Sequence, residues 1–252
     1  NGEWKEIDNS LVEKESKESG EKYYALKSSD VDLKIPQTLE NENKIEISKD
    51  GFDFSMAVSG KRETKGEKAA VENNIKTDID YDKSATRTEI KNAETIQSAV
   101  TSSKVTYKNA VNNSDLEYTV TSSKIKEDIV VNEKQENYEY KFEINYGDLI
   151  PVVSDNGAIG FFKSEKDENA VYTISAPYMT DANGEYSDEV EMILDGNILT
   201  VKASAEWINS RKRAFPIKID PSVEYRTTGG FIDSTIRYLL KNKNYGGDDT
   251  LD

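Results

Sequence analysis

The apolar residues of this chain recur with a period of two, and that pattern confines it to β structure. Val31-Asp32-Leu33-Lys34-Ile35-Pro36, Lys44-Ile45-Glu46-Ile47 and Tyr138-Glu139-Tyr140-Lys141-Phe142-Glu143-Ile144 all alternate apolar with polar. Successive side chains on a strand point to opposite faces, so the alternation buries one face and wets the other. Strand-like runs continue at Tyr23–Leu26, Phe52–Met56, Val105–Tyr107, Leu116–Val120, Lys124–Val131, Ile159–Phe162, Val171–Ile174, Val190–Leu194, Ile198–Val201 and Phe215–Ile219. Asp50-Gly51, Asp155-Asn156-Gly157, Asp181-Ala182-Asn183-Gly184 and Asp195-Gly196-Asn197 punctuate them with residues that tolerate positive φ. Short strands at spacings of about ten residues predict an all-β fold, an antiparallel β-sandwich-like double sheet. It forms either one unit or two packed β subdomains, with little helix. Ala203–Ile208 reads as a helical turn capped by Ser204.

The pattern divides the chain into four parts. Residues 1–56 read as an N-terminal β-meander and 105–223 as the main antiparallel β domain. Between them, 57–104 is a polar arm or insertion: Gly60-Lys61-Arg62-Glu63-Thr64-Lys65-Gly66-Glu67-Lys68 is almost wholly polar, and a short helix is expected around Glu89–Ala99. Residues 224–252 read as a linker and the truncated start of another domain, because some twenty residues cannot enclose a core.

Composition narrows the chemistry. The 252 residues include neither Cys nor His, which removes thiol nucleophiles, Ser-His-Asp triads, thiolate metal sites and imidazole acid/base catalysis. The 48 acidic residues outweigh 33 basic ones, for a net charge of −15. Such a field repels phosphate backbones and anionic lipid, so no nucleic-acid partner is expected. No apolar run reaches the roughly 20 residues of a membrane span. The opening Asn1-Gly2-Glu3-Trp4 carries neither an initiator Met nor an apolar leader, which reads as a mature or excised piece.

Several local phrases, in order, resemble the N-terminal β-rich region of exported, wall-associated RHS/YD-repeat and DNRLRE-domain bacterial surface proteins. They are Gly2-Glu3-Trp4-Lys5-Glu6-Ile7-Asp8-Asn9-Ser10-Leu11; Tyr107 with Asp115-Leu116-Glu117-Tyr118 and Lys124-Ile125-Lys126-Glu127; Ala176-Pro177-Tyr178-Met179-Thr180-Asp181; and Trp207 with Phe215-Pro216-Ile217-Lys218-Ile219-Asp220-Pro221. Asp233-Ser234-Thr235-Ile236 with Asn244-Tyr245-Gly246-Gly247 is similar to the start of a DNRLRE domain. The resemblance is weak over 57–104 and brings no catalytic residue. It implies a secreted, cell-wall or cell-surface location and partners among the other domains of a larger protein.

These features together give the expectation of a non-catalytic structural or spacer module, not an enzyme. The alternatives are a carbohydrate-binding or adhesive module acting on wall or environmental polysaccharide, and a fragment of a polysaccharide-active enzyme. Trp4 and Trp207 are the candidate sugar platforms, although packing explains each more simply. Asp181, Asn183, Glu185 and Asp188 crowd oxygen ligands into one turn, as Ca²⁺ requires, but Gly184 breaks the EF-hand register and an acidic hairpin turn is the commoner explanation. Arg211-Lys212-Arg213 reads as a solvated turn.

Overall fold

The computed structural model describes residues 8–39, 44–60, 68–75, 102–121 and 123–225. The alternating runs form two antiparallel sheets, as the period of two requires. The first contains β1 (Asp8–Glu15), β2 (Lys22–Ser28), β3 (Asp32–Pro36), β4 (Ile45–Lys49) and β5 (Phe52–Val58), then β10 (Glu139–Asn145), β17 (Ile198–Ala203) and β16 (Val190–Asp195), in that spatial order. β5 pairs with β10 through Phe142↔Val58 and Ile144↔Met56. The first sheet therefore draws its strands from both sides of the polar 57–104 segment.

The second sheet runs β11 (Ile150–Val153), β12 (Ile159–Phe162), β13 (Tyr172–Ile174), β19 (Val223–Glu224), β9 (Lys124–Val131), β18 (Ile217–Asp220), β14 (Tyr178–Thr180) and β15 (Tyr186–Ser187). From β9 it also continues through β8 (Ser114–Val120) and β7 (Ser102–Val111) to β6 (Ala70–Ile75). One edge of β9 is shared by two short strands: Ile217–Ile219 pair with Val131–Ile129, and Val223–Glu224 pair with Ile125–Lys124. The helical turn forms as expected, as α1 (Ala205–Asn209), with Ser204 Oγ accepting the Trp207 amide.

Within the expected polar arm, Ala70–Ile75 forms a strand against β7. Its sequence, Ala-Val-Glu-Asn-Asn-Ile, has too few apolar residues to announce itself, and pairing with a long neighbour supplies what propensity does not. Asn73 then ties this strand to the first sheet: its side-chain amide accepts from Leu11 N at 2.9 Å and donates to Leu11 O at 3.2 Å. The expected Glu89–Ala99 helix, Trp4 and the DNRLRE-like tail lie outside the described residues.

One apolar core lies between the sheets, with Phe54, Met56, Tyr140, Phe142 and Ile144 from the first meeting Leu116, Ile129, Phe161, Tyr172 and Ile217 from the second. Its densest part is aromatic. Phe54 meets Phe161 edge-on at 5.4 Å and Tyr172 at 5.3 Å, and Tyr146 meets Phe161 at 5.2 Å. Tyr172 also donates its hydroxyl across the seam to Phe52 O at 2.6 Å. Phe161→Ala removes a fully buried ring and is expected to cost roughly 3–5 kcal/mol. Tyr172→Phe keeps the ring but leaves the Phe52 carbonyl without its donor, for about 1–2 kcal/mol. Urea denaturation midpoints of the two variants against the parent measure both.

Candidate functional site

The register of the second sheet gathers its polar chemistry on the face away from the core. Glu117 lies opposite Asp128, and Thr119 opposite Lys126. Lys104 pairs with Thr119, and Tyr178 with Asp220. Lys126 Nζ lies 3.2 Å from both Asp128 and Asp220, and Lys218 Nζ lies 2.6 Å from Glu117 and 3.4 Å from Asp128. Lys104 continues the ladder to Glu72 at 3.0 Å and Glu117 at 3.9 Å. Tyr178 stacks on the exposed Tyr186 at 5.6 Å, and Lys126 sits over the Tyr178 ring.

Electrostatics in this strip are closed on themselves. Burial works against the charge on Lys126, but Asp128 and Asp220 outweigh it and raise its pKa. Burial raises the Asp128 carboxyl, while Lys126 and Lys218 draw it back. The oxygens are taken up by ammonium groups, and no group of three or more carboxylates among the described residues is placed to hold a metal. The strip is an ion-pair network across β8, β9 and β18 and holds no open coordination site.

An open concavity lies on the outer face of the first sheet. This groove, about 1080 Å³ in volume, is formed by β1, the turn after it, and β2 to β4. Its walls carry Lys14, Lys17, Lys22, Lys34 and Lys44 against Glu15, Glu18, Glu21 and Glu46, with Tyr23 and Pro36 on its floor. Lys34 and Lys44 share Glu46, at 3.2 and 3.6 Å. Lys14, Lys17 and Lys22 make no ion pair among the described residues. In a chain of net charge −15, this is a local excess of cation over acid, with an aromatic ring beside it.

The acidic turn weighed as a Ca²⁺ site uses its central carboxylate internally. Asp181 Oδ1 accepts the amides of Asn183 and Glu185 at 2.9 and 3.0 Å, and Oδ2 accepts the Ala214 amide at 3.1 Å with Arg213 at 3.5 Å. Burial alone would raise this carboxyl, yet the three amides and Arg213 hold it below the ordinary value. Asn183, Glu185 and Asp188 stay exposed at the rim, so the turn presents no converging ligand set. Trp207 is half-buried against the core, and the Arg213 guanidinium covers its ring at 4.4 Å; it is not a free sugar platform. Arg213 itself corrects the solvated-turn expectation, because only 13% of its side chain is exposed.

Sequence reasoning missed the strip and, beneath it, Glu127. The signal was present: in Lys124-Ile125-Lys126-Glu127-Asp128-Ile129, Glu127 occupies the core position between two isoleucines. A carboxyl at an apolar register position marks either a break in the strand or a buried acid, and here it is the second.

No family model matches the chain, and no solved structure matches it. Curated relatives do, among them the "tRNA3(Ser)-specific nuclease WapA" of Bacillus spizizenii and the "tRNA nuclease WapA" of Bacillus subtilis, each 26% identical over 155 residues. The match covers 57% of this chain and 6% of each relative's length. These relatives overturn the expectation of a non-catalytic spacer, not an enzyme and without a nucleic-acid partner, together with its carbohydrate-directed alternatives, since both are named for action on tRNA. The physical reason is one of scale. Net charge averages over a whole chain, whereas a piece matching 6% of a nuclease need not carry the countercharge of that protein's substrate.

Asp181→Asn turns an NH₂ group, in one flip or the other, against either the Ala214 amide or the amides of Asn183 and Glu185, donor facing donor, and is expected to destabilise by roughly 1–3 kcal/mol. Millimolar Ca²⁺ is expected to leave the melting temperature of the parent chain unchanged; a Ca²⁺-dependent rise in a thermal melt would restore the metal site.

Proposed function

We propose that this chain is a β-sheet module of a much larger tRNA-nuclease-type polypeptide, exported and associated with the cell wall. The observation that carries the reading is the 155-residue match to relatives named tRNA nucleases. Tertiary placement in one groove of three lysines that make no ion pair among the described residues supports a role in contact with RNA. Export and wall association rest on the local phrases of the sequence and on its lack of Cys, which lets it fold where disulfide chemistry is uncontrolled.

On this reading, RNA cleavage is the activity of the whole polypeptide, and this module meets the RNA backbone at Lys14, Lys17 and Lys22. Phosphate contacts of this kind are sequence-independent and position the substrate. Neighbouring glutamates keep the contact weak and dependent on low salt.

The test uses the polypeptide that carries this chain. It is expected to cleave tRNA, seen as discrete fragments on a denaturing gel, and to bind tRNA with a log–log salt slope to which the groove contributes about −2 to −3 for three phosphates. Replacing Lys14, Lys17 and Lys22 together by Glu is expected to remove that part of the slope. Absence of cleavage would sink the nuclease reading, whereas cleavage with an unchanged slope in the triple variant would remove RNA contact from the groove alone.

A further inference from the structure

Among the described residues, Glu127 is the one fully buried acid whose surroundings are apolar. It projects from the centre of β9 into the seam between the sheets, where Ile45, Ile47, Phe54 and Met56 of β4 and β5 face it, with Ile125 and Val223 at its sides. Its Oε1 accepts the Tyr118 hydroxyl at 2.5 Å, and its Oε2 has no hydrogen-bond partner. Beside it lies a cavity of about 10 Å³, room for no more than a single water. Every titratable group acting on it is on its own sheet. Tyr118 comes from β8, backed edge-on by Tyr107 at 5.9 Å, while Asp128 and Asp220 act from the opposite face. The residues facing it from β4 and β5 carry no charge, and among the described residues no cation acts on it.

We infer that Glu127 is a proton-operated latch between the two sheets: as the neutral acid it lets them close, and as the carboxylate it drives the seam apart. The cause is desolvation. A protonated carboxyl with one hydrogen bond is tolerable in a core, but an ionised one without a cation is not. Burial, aided by Asp220 and Asp128, raises this group from its ordinary 4.5 to about 8, against the Tyr118 bond, which favours the ion.

A carboxyl raised on folding binds its proton more tightly in the folded chain. Its contribution is therefore fully present below pH 4.5, declines as pH rises from there, and is at its worst above about 8. That interval of about 3.5 pH units corresponds to a change of up to ~10³-fold in the folding equilibrium constant. Asp128, also raised by burial, slopes the same way and must be separated from it.

The experiment compares urea unfolding of the intact chain and Glu127→Gln at pH 5, 7 and 9, with amide hydrogen exchange in β4 and β9 at pH 9. The parent chain is expected to lose stability relative to the Gln variant by at least 100-fold in equilibrium constant between pH 5 and 9, and to exchange faster in both strands at pH 9. Tyr118→Phe provides the second variant: without the donor the carboxyl titrates at still higher pH, so the loss of stability extends further into alkali. Parallel pH profiles for the parent and Glu127→Gln would overturn the latch. If Glu127→Gln fails to fold, a Tyr118→Phe profile that superimposes on the parent's would overturn it equally.

Discussion

Strand β9 is buried on both faces, from Glu127 to Val131, and the two sheets are arranged around that fact. Toward the core, Ile125, Ile129 and Val131 meet the first sheet. On the other face the strand carries Lys126 and Asp128, which are tolerable there only because β8 and β18 bring Glu117, Lys218 and Asp220 within ion-pairing distance. Both edges are paired as well: β8 occupies one, and β18 and β19 divide the other. Removing either flank would expose backbone donors or strand buried charges, each of which costs more than an ordinary surface contact contributes. Glu127 is the position on β9 where no cation supplies this compensation, whereas Asp128 has Lys126 and Lys218.

The same compensation accounts for how the candidate residues of the turn and of α1 are used. Asp181 is surrounded by three amides and an arginine because the chain between β14 and β15 has to turn tightly while Ala214 packs against it. Trp207 sits under Arg213 because α1 places its ring between the core and that side chain. Residue types that serve ligands elsewhere are used here to close turns. One open polar surface is the lysine-bearing groove on the first sheet, with Lys14 on β1, Lys17 in the turn that follows, Lys22 on β2 and Lys34 on β3.

A local cation cluster on a strongly acidic chain has consequences for how any RNA contact works. Long-range attraction is absent, so encounter is not steered by the field of this module. Contact becomes favourable only once the backbone is within a Debye length of the groove, about 8–10 Å at physiological salt. Under the proposed function, that arrangement suits a module to which RNA is delivered by the rest of a long polypeptide, not one that captures RNA by itself.

Much of the fold was legible in the sequence. Alternation fixes which side of each strand is buried, because the pleat has a period of two whatever the neighbours are, and Val31–Pro36, Tyr138–Ile144 and Ile198–Val201 fold as that alternation reads. The Ser204 cap and the Asp-Gly turns were readable for the same local reason. Pairing was not. Nothing in Phe52–Val58 names Glu139–Asn145 as its neighbour, and Ala70–Ile75 has no strand signal of its own; only closure of a shared core selects those partners. The roles of the charged residues were likewise decided by tertiary structure. Whether Lys126 is a surface lysine or a buried counterion, and whether Glu127 is wet or dry, depends on what packs across the sheet, and electrostatic energy depends on distance and burial that sequence order does not contain.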